Sequence, residues 1–111
     1  MSENSTAIID VTEDTFHEEV IQSQTPTIVD FWAPWCGVCR TVRPQIDAFA
    51  EREKKNIKFV AVNAQDHPDL ANQYGIMALP TFLSFINGQV VGQHVGAMNE
   101  RQLAELVEQS V

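Results

Sequence analysis

Thr27-Ile28-Val29-Asp30-Phe31-Trp32-Ala33-Pro34-Trp35-Cys36-Gly37-Val38-Cys39 is the stretch that decides how this chain folds. Its first six residues make a nearly continuous apolar run broken by one charge, Asp30. That pattern belongs to a central strand covered on both faces. Ala33-Pro34-Trp35 ends the run, and a helix begins near Cys36, with Val42, Ile46, Phe49 and Ala50 as its apolar stripe. Pro44 falls inside that helix, where it removes a hydrogen bond and predicts a kink.

Working outward, Ala7-Ile8-Ile9 with Val11 reads as a short strand behind a polar segment, residues 1–6, expected to be frayed. Thr15 with Glu18 has capping-box spacing and predicts a helix whose Phe16 and Val20 share a face. Beyond the cysteine helix, Ile57 to Val62 predicts another strand, and Asp69 to Tyr74 a short helix. Thr81 to Ile86 and Gln89 to Val95 flank Asn87-Gly88, which supplies the positive φ angles of a type I′ hairpin turn. Asn99, reinforced by Gln102, caps a last helix with Leu103, Leu106 and Val107 on its buried stripe. The order βαβαβα, hairpin, α predicts one domain over residues 1–111: an α/β fold of three layers with helices on both faces of a mixed sheet.

Composition narrows the function. The 111 residues carry a formal charge of −8, so a polyanion such as nucleic acid is a poor partner. The clusters Arg40/Arg43 and Lys54-Lys55 with Lys58 read as a solvated helix face and loop. No stretch approaches the roughly 18–20 apolar residues of a membrane span. The N-terminus shows no basic segment followed by an apolar run, so the expected compartment is the reducing cytoplasm. Two cysteines there read as reactive or metal-binding before structural.

Cys36 and Cys39 sit on the first turn of a helix, and their spacing suits the roughly 4.4–6.8 Å Cα separation of a disulfide. Unpaired backbone N–H groups and the positive end of the helix dipole favour a thiolate there. Cys36, at the helix end, is the expected attacking thiol. Cys39, one turn in and expected to be more buried, is the expected resolving thiol. Gly37 and Val38 between them bring no charge. A structural staple is the weaker reading, because so short a loop contributes only about 2 kcal/mol. A zinc site is weaker too: His17, His67 and His94 are scattered without paired ligand spacing.

A carboxylate in a core strand is costly unless paired, so burial should raise the Asp30 pKa. It reads as a general base for the Cys39 proton, acting directly or through a water. A carboxyl merely hydrogen-bonded to nearby backbone is the simpler alternative. Pro80, just before a strand, suits an ordinary trans turn as well as a cis bond.

Val29 to Cys39, then Pro44, Tyr74-Gly75-Ile76, Leu79-Pro80-Thr81, Asn87-Gly88 and Val95-Gly96, closely resemble the thioredoxin family from about residue 7 to the C-terminus. The resemblance implies the thioredoxin fold, with a central five-stranded mixed sheet and four helices. It implies Cys36 as nucleophile, Cys39 as resolving thiol, Asp30 as the carboxylate assisting Cys39, and Trp32 as support for the site. Pro80 would be a cis-proline facing the disulfide. Trp35, Leu79, Pro80, Gly96 and Ala97 would line a shallow groove for the substrate's cysteine segment. The implied activity is a protein-disulfide reductase working as a monomer on disulfide-containing proteins. Electrons would come from NADPH through thioredoxin reductase; no metal, flavin or nicotinamide would be bound, and no membrane or nucleic acid engaged.

Two positions depart from the family pattern. Val38 stands where proline is usual; it keeps an N–H and frees φ, which predicts a less reducing couple than the about −270 mV of thioredoxin. Ala61 stands where many thioredoxins carry lysine, so Asp30 lacks a cation that would favour its charged form. Two rival functions follow from the same residues: an oxidant or isomerase module, suggested by Val38, and a non-catalytic docking subunit using the surface around Trp35 and Pro80.

Overall fold

A computed structural model of the chain describes residues 7–109. The expected fraying of residues 1–6 lies outside the described residues. Strand β1 (Ile8–Val11) leads into α1 (Glu13–Phe16), which runs straight on as a π-helical turn, His17–Ile21. Then come β2 (Thr27–Trp32), α2 (Gly37–Glu53), β3 (Lys58–Asn63), α3 (Pro68–Gln73), β4 (Thr81–Ile86), β5 (Gln89–Val95) and α4 (Glu100–Glu108). The five strands form one sheet in the order β1-β3-β2-β4-β5. β1 and β2 run parallel to β3, whereas β4 is antiparallel to both β2 and β5. This is the expected mixed sheet, with β2 at its centre.

Alternation along β2 divides the core between the two faces. Ile28 packs with Val42, Ile46 and Phe49 of α2 and with Leu103 and Leu106 of α4. Val29 and Phe31 point the other way, onto Phe16, Val20 and the α3 residues Leu70 and Ala71. The strand that reads as doubly covered is doubly covered, and Asp30 falls on the α2 side with its neighbours Ile28 and Trp32.

The hairpin turn has the expected backbone, with φ 52° at Asn87 and 81° at Gly88. The side chains of Asn99 and Gln102 cap α4 reciprocally, as expected. Pro44 lies inside the 17-residue α2 without ending it. The first helix corrects the reading from sequence. Its cap is Thr12, whose hydroxyl accepts from the N–H groups of Asp14 and Thr15, while Thr15 Oγ1 accepts from Thr12 N at 2.9 Å. Thr12 is still extended (φ −114°, ψ 178°), so the helix starts directly off β1, and Thr15 serves as the third helical residue. Glu18 falls in the π-helical turn and takes no part in the cap.

Candidate active site

The site is built where β2 gives way to α2. The connecting loop is pinned from both sides: Cys36 N donates to Ala33 O at 3.1 Å, and Arg40 Nη1 donates to Pro34 O at 2.6 Å. Cys36 is the N-cap of α2 and Cys39 its third residue. The two are joined as a disulfide with Cα atoms 5.3 Å apart. Cys39 N–H, one of the first-turn donors with no helical partner, points at Cys36 Sγ from 3.1 Å.

In this disulfide form the two cysteines are almost equally buried, Cys36 at 7% exposed and Cys39 at 5%, so the expected difference is slight. What separates them is direction. Cys36 has the extended backbone of a cap and receives a helix-end N–H, which favours negative charge on its sulfur. Cys39 faces inward and helps line a cavity of about 70 Å³ with Asp30, Trp32, Arg40 and Arg43.

Asp30 sits in the sheet between Ala61 of β3 and Phe82 of β4, neither of which brings a charge. Burial pushes its carboxyl up from an ordinary 3.8 to about 7; Arg43 opposes that rise and Asp47 adds to it. Oδ1 of Asp30 has no hydrogen-bond partner among the described residues, nor has Nε1 of Trp32 on the same cavity. The reading of Asp30 as a structural carboxyl satisfied by nearby backbone therefore finds no bond on this oxygen. Arg43 Nε donates to Asp47 Oδ1 at 3.1 Å, four residues on along α2.

Across from the cysteines the Leu79–Pro80 peptide bond is cis. The segment is held by Gly96 N donating to Pro80 O at 2.8 Å and Thr81 Oγ1 to Ala78 O at 2.6 Å. Leu79 packs on the cluster of Ala33, Cys36 and Cys39. The other groove candidates are spread out. Trp35 stands 67% exposed, Pro80 is buried, and Gly96 is half-buried. Ala97 lies in an open cleft of about 710 Å³ lined by Gly37, Val38, Arg40, Thr41 and Val42. Among the described residues no group of three or more His, Cys, Asp or Glu could hold a metal ion, and no helix is long and apolar enough to cross a membrane.

The sequence reading gives no role to two residues. Met77, 96% exposed, is an apolar side chain standing in solvent shortly before the cis bond, and no pattern in the sequence marks that exposure. From the sequence, Arg43 belongs to a solvated helix face. Its signal was the spacing Cys39, Arg43, Asp47, a ridge of four-residue steps that places all three above one another on α2.

A family model described as Thioredoxin matches residues 7–109. The chain is 45% identical over 102 residues to "Thioredoxin 1" of Nostoc sp., a match covering 92% of this chain and 95% of that protein. It is 45% identical over 98 residues to "Thioredoxin 1" of Synechococcus elongatus, covering 88% and 92%. Against "Thioredoxin M-type, chloroplastic" of Chlamydomonas reinhardtii it is 39% identical over 98 residues, covering 88% and 70%.

Proposed function

The chain belongs to the thioredoxin family and is a thiol–disulfide oxidoreductase, and we propose that it reduces protein disulfides with Cys36 attacking and Cys39 resolving. The observation that carries this reading is the Cys36–Cys39 pair at the start of α2, with Cys39 N–H aimed at Cys36 Sγ and the Asp30 cavity behind Cys39. In the reduced protein the Cys36 thiolate attacks one sulfur of a substrate disulfide, and the other substrate sulfur leaves as a thiolate that takes a proton from water. Cys39 then gives its proton to the Asp30 carboxylate and attacks Cys36 Sγ. The substrate's second sulfur departs, and the Cys36–Cys39 bond holds the two electrons' worth of oxidation.

Trp35, Leu79, Pro80, Gly96 and Ala97, with Gly37 and Val38 between the cysteines, form the surface on which the substrate segment lies in this reading. Trp32 closes the cavity behind it. NADPH-dependent thioredoxin reductase returns the disulfide to the dithiol. The protein acts as a monomeric single domain in the cytoplasm, a setting that suits a working dithiol.

The test is reduction of a model disulfide protein with NADPH and thioredoxin reductase. The parent protein should turn over and Cys36→Ser should not. Equal rates with and without Cys36 would overturn the reading and favour a docking role for the surface around Trp35.

A further inference from the structure

We propose that Arg43, steered by Asp47, is a positioning residue for the resolving step: its side chain lines the cavity shared by Cys39 and Asp30 and supplies the cation that the sheet around Asp30 lacks. The inference rests on the proposed role of Asp30 as acceptor of the Cys39 proton. Ala61 and Phe82 flank Asp30 within the sheet, so no charge reaches the carboxyl from β3 or β4 at those positions. The third layer, α2, supplies it. Arg43 lines the cavity with Cys39 and Asp30, one helical turn beyond Cys39. Arg40 lines it too, with its Nη1 turned to Pro34 O, and Arg43 is the arginine whose charge lowers the Asp30 carboxyl.

Asp47 completes the device. It holds Arg43 through Nε at 3.1 Å, with side chains 31% and 36% exposed, and thereby fixes how much of the positive charge Asp30 feels. During resolution the Cys39 S–H bond breaks and its proton passes to an Asp30 oxygen. The Cys39–Cys36 sulfur bond forms as the Cys36–substrate bond breaks, and the substrate thiolate takes a proton from water. Arg43 neither gives nor takes an electron or proton. It holds the acceptor ready as a carboxylate and loses that partner once Asp30 is protonated.

The arrangement makes two opposite predictions, which a merely structural role does not. Arg43→Ala removes an attractive charge and should move the Asp30 titration upward, by roughly half a pH unit for a charge this exposed. Asp47→Asn removes a repulsive charge and frees Arg43, so the titration should move downward. Arg43→Lys should restore most of the parent value. The titration is read on the oxidised protein from the Asp30 carboxyl carbon by NMR. The same variants are then followed for the pH dependence of release from a preformed mixed disulfide at Cys36. Opposite shifts in both readouts support the proposal. No shift, or shifts of the same sign, overturns it, and folding is checked independently by the hairpin and α4 amide resonances. Asp30→Asn separates the two levels. If it slows release while Arg43→Ala leaves the profile in place, only the role of Arg43 falls. If it leaves release unchanged, the role of Asp30 falls and that of Arg43 with it.

Discussion

Replacing Asp30 by asparagine should stabilise the protein, and the gain should depend on pH in a way that identifies its cause. The carboxyl is 5% exposed, and its pKa rises from 3.8 in an ordinary setting to about 7 in the fold. A raised carboxyl binds its proton more tightly when folded than when unfolded. The folded state is therefore at its best below the unfolded value, and it loses stability as pH climbs from about 4 to about 7. Three units at about 1.4 kcal/mol each give a penalty of about 4 kcal/mol above neutrality and essentially none near pH 3.5. Asparagine escapes that penalty. Its amide enters a cavity where Asp30 Oδ1 already lacks a partner, so it carries a cost of roughly 1–3 kcal/mol, independent of pH. The decisive quantity is thus the slope.

Urea unfolding of the oxidised parent and Asp30→Asn, at half-unit steps from pH 3.5 to 8.5, measures it. The variant's advantage should grow by about 4 kcal/mol across that range, with most of the change complete by pH 7. An advantage that stays flat, or that is largest in acid, would refute the burial argument. The same substitution should slow release of substrate from the mixed disulfide, since the amide accepts no proton from Cys39.

Three further outcomes are expected. Cys39→Ser should accumulate a covalent complex between Cys36 and substrate that dithiothreitol releases; a non-reducing gel without such a complex would remove Cys36 as the attacking sulfur. Val38→Pro removes one N–H from the first turn of α2, where donors favour a Cys36 thiolate. Equilibration with glutathione should give a more negative potential for that variant, and an unchanged one would clear Val38 of any tuning role. Gly88→Ala should cost roughly 1–3 kcal/mol in urea unfolding. The new Cβ would lie 2.8 Å from the Ile21 carbonyl oxygen at a residue with φ 81°, and a silent substitution would mean the turn relaxes freely.

How much of this was legible in the chain itself varies with the range of the interaction. β2 and the hairpin strands keep the bounds read from sequence, because apolar continuity, alternation and Asn87-Gly88 are local properties of the residues that form them. The α4 cap is likewise local, Asn99 against Gln102. The first helix was misplaced by three residues because Thr12 and Thr15 are equally good capping residues. Only the end of β1 at Val11 decides between them. The burial of Cys36 was underestimated for a similar reason: Leu79 packs on the disulfide cluster from forty residues away, as the cis segment approaches it. Arg43 was the deepest miss. Its position on α2 is periodic and readable, but that the ridge it shares with Cys39 faces Asp30 follows only from how α2 lies over β2.

Several residues of the site break a rule that most of the surrounding structure obeys. Past Thr27, β2 is apolar on both faces except at Asp30, and Asp30 Oδ1 and Trp32 Nε1 beside it are, with His67 Nδ1 and Ser84 Oγ, the buried polar side-chain atoms without a partner among the described residues. Large apolar side chains are covered except at Trp35 and Val38 beside the disulfide, Met77 ahead of the cis bond and a few residues on the edge strands. A fold optimised for stability alone would correct these positions, and Asp30→Asn is the correction whose gain can be measured. Local inconsistency persists where the chemistry needs it: a carboxyl near neutrality takes a proton that an ordinary one would decline. The conflict also explains why Ala61 is tolerable. With no cation beside Asp30 in the sheet, a charge held on the neighbouring helix by Asp47 opposes the rise that burial imposes on the carboxyl, and a partly exposed ion pair is easier to retune than a buried one.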